Sequence, residues 1–193
     1  MSENPVTQNV AAWRKERRAE LLAQRQALDP ARRREWSAAI DGNLRTVLAG
    51  RAPMVISFYW PFRGEFDARP LMRDLIDGGW RAALPVVVQK KAPLEFRLWT
   101  PGAPMVDGIW NIPVPRDGAV VTPQVVLAPV VGFDDSCYRL GYGGGYYDRT
   151  LVTLSPRAFA IGIGFAFQHL ATIHPQPYDQ RLDSIVTEDG IRR

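Results

Sequence analysis

The sequence APVVGFDDSCYRLGYGGGYYDRT, at residues 128–150, is the most informative part of this chain. Its apolar beginning predicts the end of a buried strand, and the residues from Tyr146 onward predict a short helix. Between the two, residues 141–145 contain four glycines, a density that destabilises the interior of any helix or strand. A strand, a glycine-rich loop and a helix in this order predict a loop whose backbone N–H groups can bind an anion.

Charged residues stand on both sides of this loop. Arg139 and Arg149 suit phosphate by their charge and by the fork geometry of the guanidinium. Asp148 is an oxygen ligand of the kind that magnesium takes beside substrate phosphates. The spacing matches neither GxxxxGK[ST] nor the dinucleotide-binding GxGxxG pattern. From the pattern alone, a phosphate-binding loop and a glycine-rich surface turn both remain open.

Helical periodicity and short apolar runs alternate along the rest of the chain. We predict helices at residues 13–28, 30–48, 68–78 and 146–154, and strands at residues 54–60, 80–88, 94–100, 125–131, 158–165 and 185–187. The strand at 94–100 is expected to pair antiparallel with its neighbour. Pro85 lies within a strand pattern, so that strand is expected to bend or to begin its pairing after the proline. We expect residues 1–12 to be loose and residues 101–124 to form a long loop.

This alternation predicts a three-layer α/β fold with a mainly parallel sheet and helices on both faces. No linker or internal repeat divides the sequence, so we predict a single α/β domain over residues 1–193, with basic N-terminal helices at about residues 13–50. Residues 1–51 hold ten Lys or Arg against six Asp or Glu, and the rest of the chain is neutral. This local excess fits a polyphosphate site, a nucleic-acid patch or a solvated helix face. Because aromatic residues do not alternate with the basic ones, we expect no nucleic-acid partner.

Composition indicates the setting of the protein. No apolar run approaches the ~20 residues that a membrane-spanning helix needs, so we expect no membrane partner. The first ten residues lack the pattern of a secretory signal. A single cysteine, Cys137, excludes an internal disulfide. These features favour the cytoplasm, and we expect a monomer.

RLGYGGGYYDR, at residues 139–149, resembles the signature of the 5-formyltetrahydrofolate cyclo-ligase family, also called 5,10-methenyltetrahydrofolate synthetases. The resemblance extends from about Arg14 to Glu188. It implies ATP-dependent closure of 5-formyltetrahydrofolate to 5,10-methenyltetrahydrofolate, with release of ADP and phosphate. It also implies a sheet similar to that of sugar-phosphate isomerases and CoA transferases. A non-catalytic protein of the same fold that binds a nucleotide or a phosphometabolite is the alternative.

The resemblance also implies roles for individual residues. Arg14 and Arg18 match a K-x-x-x-R segment that contacts ATP, and Lys15 is an adjacent candidate. The implied ATP contacts are Arg14, Lys15, Arg18, Arg139, Gly141, Tyr142, Gly143, Gly144, Gly145, Tyr146 and Tyr147. The implied folate contacts are Trp60, Glu65, Trp110, Tyr142, Gly143, Gly144, Gly145 and Tyr146. Arg139 and Tyr146 are the implied catalytic residues, and Asp148 and Asp179 the implied magnesium ligands.

Two positions depart from the family pattern. Tyr142 and Gly144 stand where some relatives carry basic residues, so the positive charge must come from Arg139, from the N-terminal helix or from a metal ion. Cys137 stands where a glycine is common in a turn. The turn before Arg139 is therefore expected to differ in shape from that of such relatives.

Overall fold

The computed structural model of the protein describes the backbone of residues 5–193 and the side chains from residue 9 onward. The helices are α1 Pro5–Ala27, α2 Pro30–Leu48, α3 Arg69–Asp77 and α4 Tyr146–Thr153. The strands are β1 Val55–Ser57, β2 Arg81–Val86, β3 Glu95–Trp99, β4 Met105–Asp107, β5 Pro113–Pro115, β6 Val125–Pro129, β7 Gly132–Phe133, β8 Arg139–Leu140, β9 Phe159–Ile163, β10 Ser184–Thr187 and β11 Gly190–Arg192. None of the described helices is both long and apolar enough to cross a bilayer.

Seven strands form one central sheet in the order β11-β10-β9-β6-β1-β2-β3. The five inner strands run parallel to their neighbours, while β3 and β11 pair antiparallel at the two edges. The prediction of a mainly parallel sheet is confirmed, and so is the antiparallel pairing of the strand that includes residues 95–99. Inner strands buried on both faces explain the nearly continuous apolar runs in the sequence.

Helices cover both faces of this sheet, as predicted. On one face, Ile40, Leu44 and Leu48 recur every four residues along α2 and are all buried. They form the main core together with residues of α3 and of the facing side of the strands. On the opposite face, Leu151 of α4 packs against a second cluster that contains Ala160 and Ile185.

The N-terminal helix is longer than the sequence predicted. Residues 5–12, which we expected to be loose, continue α1 toward the N-terminus, whereas residues 1–4 lie outside the described part of the chain. The correction has a simple reason, because Pro5 suits the first position of a helix and Val10-Ala11-Ala12 includes good helix formers. This helix packs against the hairpin of β7 and β8, where Gly132 lies close to Leu21.

Prolines account for two further differences. β2 runs through Pro85 without interruption and pairs from Arg81 onward, so the expected late start of pairing is wrong. Pro85 lies opposite Phe96, whose carbonyl accepts from Val121, so this pair needs no ladder bond from the proline. The predicted loop at 101–124 contains the hairpin of β4 and β5. The pattern missed this hairpin because Pro113 and Pro115 argue against a strand.

The strands that surround the site are shorter than their apolar runs. Pairing of β1 ends at Ser57, and Phe58 adds one bond to the carbonyl of Ala83. The chain then leaves the sheet through Tyr59 and Trp60. The chain after β6 likewise leaves the sheet and enters the β7–β8 hairpin. Both departures occur at the carboxyl ends of parallel strands, the usual place for a ligand in an open α/β sheet.

Candidate active site

A cavity of about 680 Å³ lies beyond these strand ends. Its size falls within the usual range of small-molecule pockets. It is lined by all but one of the predicted site residues: Arg14, Arg18, Trp60, Glu65, Trp110, Arg139, Gly141, Tyr142, Gly143, Gly144, Gly145, Tyr146, Tyr147, Asp148 and Asp179. The exception is Lys15, which is exposed to solvent and does not line the cavity.

The glycine loop runs along the cavity into the N-terminus of α4. Gly143 and Gly145 have φ angles of 95° and 64°, a region that favours glycine. Gly144 does not have a positive φ, and its reason for being glycine is steric. A Cβ at Gly144 would lie 2.8 Å from the ring of Tyr146. The loop thus presents backbone to the cavity at the positive end of a helix.

Arg18 is the cation best placed to meet a ligand. Its Nε donates to the carbonyl of Gly141 at 2.7 Å, which fixes the guanidinium beside Gly143. Within the described part of the chain it forms no salt bridge with a carboxylate. Burial, and then the charge of Arg14, lower the pKa of Arg18 from its ordinary value. A guanidinium nevertheless remains protonated at physiological pH, so Arg18 presents an unneutralised charge to the cavity.

Arg14 and Arg139 are each paired with a predicted metal ligand. Arg139 donates to both oxygens of Asp148, at 2.9 and 3.1 Å. Arg14 forms a buried ion pair with Asp179 and also donates to the carbonyls of Ile173 and His174. Each arginine therefore has a structural partner as well as a place on the cavity wall.

The two carboxylates of these pairs are also the side chains that could bind magnesium. Asp148 and Asp179 supply the carboxylate oxygens that magnesium prefers, and both line the cavity. In the described residues, no group of three or more His, Cys, Asp or Glu side chains is arranged to hold a metal ion. Because magnesium commonly binds through one or two carboxylates together with substrate phosphates, the two side chains fit an ion that arrives with a nucleotide.

Glu65 lies at the centre of a buried network on another part of the cavity wall. Its Oε2 accepts from the backbone N–H of Phe62 at 2.8 Å, and its Oε1 accepts from the hydroxyl of Tyr142 at 2.6 Å. Arg25 donates to the hydroxyl of Tyr142, and its Nη2 lies 3.6 Å from Glu65 Oε1. The network joins α1, the loop after β1 and the glycine loop.

Burial dominates the ionisation of this network. It raises the pKa of Glu65 above the ordinary value, although Arg25 and the hydrogen bonds from Tyr142 and Phe62 favour the charged form. Burial, followed by the charge of Glu65, also raises the pKa of Tyr142 and of Tyr147. Both phenols therefore keep their protons at physiological pH and can act as hydrogen-bond donors.

Aromatic rings form the mouth of the cavity. Trp110 is 62% exposed and lies edge-on to Tyr146, with 6.0 Å between the ring centroids. Trp110 and the next residue, Asn111, have φ angles of 59° and 57°, which are unusual for residues other than glycine. Trp60 lies under the guanidinium of Arg69, at 4.6 Å. An exposed tryptophan held in this way provides a surface on which a flat ring can stack.

Sequence reasoning missed Arg25, which is 1% exposed. Its Nε and Nη1 donate to the carbonyls of Arg63 and Val130, so one guanidinium joins the chain segments that follow β1 and β6. A usable signal existed, because Arg25 lies seven residues after Arg18 and eleven after Arg14. These spacings place the three arginines on one helical face.

The mostly parallel sheet and the cavity at its carboxyl edge define an α/β protein with a small-molecule site suited to a phosphate-bearing ligand. A model of the 5-formyltetrahydrofolate cyclo-ligase family matches residues 10–188. The chain therefore belongs to the 5-formyltetrahydrofolate cyclo-ligase family.

Relatives and solved structures agree with this assignment. The 5-formyltetrahydrofolate cyclo-ligase of Escherichia coli K12 is 29% identical over 174 residues, which cover 86% of this chain and 96% of that relative. The structure of Aquifex aeolicus 5,10-methenyltetrahydrofolate synthetase is 28% identical, with a TM-score of 0.81, and the match covers 93% of this chain and 92% of that one. A Mycoplasma pneumoniae 5,10-methenyltetrahydrofolate synthetase shares the fold, with a TM-score of 0.76 at 24% identity over 91% of this chain and 98% of that one.

Proposed function

We propose that the protein catalyses the ATP-dependent cyclisation of 5-formyltetrahydrofolate to 5,10-methenyltetrahydrofolate, with release of ADP and phosphate. The observation that carries this proposal is the composition of one cavity. Arg18 and the glycine loop on its wall suit a polyphosphate, and the buried carboxylate of Glu65 suits the N–H groups of a pterin ring. Family membership and the names of the relatives point to the same substrate.

The chemistry requires activation of a poor leaving group. The formyl oxygen attacks the γ-phosphorus of ATP, and ADP leaves. Nitrogen 10 of the folate then attacks the formyl carbon and loses its proton, and the former formyl oxygen leaves as inorganic phosphate. Neither step needs a covalent protein nucleophile. The protein must hold two substrates in line and stabilise the charge on the transferred phosphoryl group.

The side chains divide these tasks. Arg18, the backbone of the glycine loop and the N-terminus of α4 would bind the phosphates, and Arg139 and Arg14 would add charge at the same wall. Glu65 would accept from the pterin ring, while Trp110 and Tyr146 would enclose it. Asp148 and Asp179 would hold magnesium, which supplies positive charge to the phosphate oxygens when it is bound. Lys15 has no part in this proposal because its side chain does not line the cavity.

The test follows the appearance of methenyltetrahydrofolate by its absorbance, with and without ATP and magnesium. We expect conversion only when ATP is present, with one ADP formed per folate closed. Arg18→Ala should raise the KM for ATP more than the KM for the folate. Binding of both ligands without any turnover would instead favour the alternative, a non-catalytic nucleotide- or phosphometabolite-binding protein.

The wider setting of the enzyme is also a proposal. We propose a monomer in the cytoplasm that binds neither nucleic acid nor membranes. Part of the N-terminal basic charge is already used within the fold, since Arg14 and Arg25 are buried against their own partners. That use supports a structural and ligand-binding role for the basic helix.

A further inference from the structure

The hydroxyl of Tyr59 is a buried polar group that the proposed reaction does not yet use. Tyr59 lies two residues after the end of β1, is only 4% exposed and lines the cavity. Its hydroxyl oxygen is buried and has no hydrogen-bond partner among the residues that the structure describes. Buried hydroxyls are normally paired, so the unpaired hydroxyl of a residue that lines the cavity calls for a partner, and a bound ligand can supply one.

The surroundings of Tyr59 define the chemistry of that partner. Leu84, which belongs to the same buried cluster as Tyr59, lines the cavity together with Pro85 and Leu94, and these apolar side chains suit a flat ring. Burial raises the pKa of Tyr59 well above its ordinary value, and the charge of Glu65 raises it further. The phenol therefore keeps its proton and is available as a donor. The ionised carboxylate of Glu65, by contrast, accepts hydrogen bonds and has no proton to donate.

We propose that the Tyr59 hydroxyl donates a hydrogen bond to the ring carbonyl of the folate, beside the ring N–H groups that Glu65 accepts. This inference rests on the proposed function. The 2-amino-4-oxo ring of a folate presents two N–H donors and an adjacent carbonyl oxygen along one edge. A carboxylate with a neighbouring phenol matches that edge group by group. Tyr59 is then a specificity-determining residue that reads the 4-oxo position.

Tyr59→Phe separates a ligand-binding role from a structural one, because the two roles predict opposite changes in stability. Removal of an unpaired buried hydroxyl leaves no protein group without its partner, so the Tm of the ligand-free protein should rise by roughly 2–4 °C. The Kd for 5-formyltetrahydrofolate should increase by about 5- to 100-fold, because the ring carbonyl loses its donor. The Kd for ATP should remain unchanged.

A folate analogue with an amino group in place of the 4-oxo group makes the test specific. The wild-type protein should prefer the 4-oxo ligand because the phenol would meet a donor in the 4-amino ligand. Tyr59→Phe should reduce that preference at least fivefold. Ser184→Ala is the matched control, since Ser184 is fully buried, its Oγ also lacks a partner in the described chain, and it does not line the cavity. It should leave both folate affinities unchanged.

The outcomes distinguish this inference from the function on which it rests. Failure of the wild-type protein to bind 5-formyltetrahydrofolate would overturn both. Normal turnover by the wild type, together with an unchanged folate Kd and an unchanged 4-oxo preference in Tyr59→Phe, would overturn the role of Tyr59 alone. A lower Tm with unaltered folate affinity would assign Tyr59 to folding and would also overturn the inference.

Discussion

Opposing influences act on the charge of Glu65. Burial favours the neutral acid, while Arg25, Tyr142 and the backbone N–H of Phe62 favour the carboxylate, and the balance leaves the pKa raised. The raised pKa means that the folded protein holds the proton of Glu65 more tightly than an exposed glutamate does. Glu65 therefore loses its charge at a higher pH than an ordinary glutamate does.

This behaviour predicts the pH dependence of folate binding. The carboxylate accepts from the ring N–H groups, so its protonation removes an acceptor. We expect the Kd for 5-formyltetrahydrofolate to rise as the pH falls toward the raised pKa of Glu65, starting above the ordinary glutamate value. Titration calorimetry from pH 7.5 downward measures this directly. Glu65→Gln should bind weakly at all these pH values and flatten the profile, and a profile that persists in this variant would contradict the assignment.

The identity of the site residues could be predicted only where local sequence determines them. The long glycine motif led to residues 139–149, all of which except Arg149 line the cavity. The choice between Arg14 and Lys15 could not be made from composition. Successive helical residues point about 100° apart, and tertiary packing determines which of them is buried. Leu21 and Arg25, which share the face of Arg14, turned out to be buried with it.

The turn at Cys137 is a second feature that the local sequence could not fully predict. It has a φ of 61°, the left-handed conformation that glycine favours, and its side chain is fully buried. Three backbone N–H groups donate to the carboxylate of Asp134 around this turn, from Ser136, Tyr138 and Ile173. The tertiary bond from Ile173 could not be read from the local sequence. The turn thus has a glycine-type conformation although its residue is cysteine.

The glycine loop can be tested as an element through Gly144. Its φ is not positive, but a Cβ would meet the Tyr146 ring at 2.8 and 2.9 Å. Gly144→Ala should therefore displace Tyr146 and reduce kcat by ~100-fold, the cost of a shift of about an ångström in a catalytic group. The Tm should change by less than about 2 °C, because a half-buried ring on the cavity wall can move.

A matched set of variants identifies the cause of that loss. A Cβ at Gly141 would meet no atom within 4 Å, so Gly141→Ala should reduce kcat far less than Gly144→Ala does. If Gly144→Ala acts through the ring, then adding it to Tyr146→Ala should cause no further loss. Additive losses in the double variant would mean that the new methyl group touches the substrates directly.

Helices and strands could be predicted where the sequence pattern is long, and the prediction failed where the element is short. The 19 residues of α2 begin at Pro30 after the predicted cap, since Asp29 accepts from the N–H groups of Ala31 and Arg32. The three-residue strand β11 was missed because alternation has no meaning over so few residues. It pairs with β10 across a two-residue turn at Glu188 and Asp189, and its first residue, Gly190, has a φ of 138°. Short edge strands of this kind depend on the sheet that is already formed.

The behaviour of the whole molecule follows from the two ion pairs that the metal ligands already make. Asp148 accepts from Arg139 and from the N–H of Gln180, and Asp179 accepts from Arg14 and from the N–H of Gln176. Magnesium gives up its water ligands reluctantly. An ion alone must compete with a guanidinium at each carboxylate, whereas ATP brings phosphates that attract the arginines and the ion together.

Magnesium should therefore raise the Tm only when the nucleotide is also present. We expect no change in Tm with magnesium alone and a larger rise with ATP and magnesium than with ATP and a chelator. At ligand concentrations of about 100 times Kd, the stabilisation is ~2.7 kcal/mol, or roughly 5–11 °C for a chain of this size. Asp148→Asn should remove most of the difference between the two ATP conditions. A rise with magnesium alone equal to that with ATP and magnesium would instead show a metal site that is complete before the nucleotide binds.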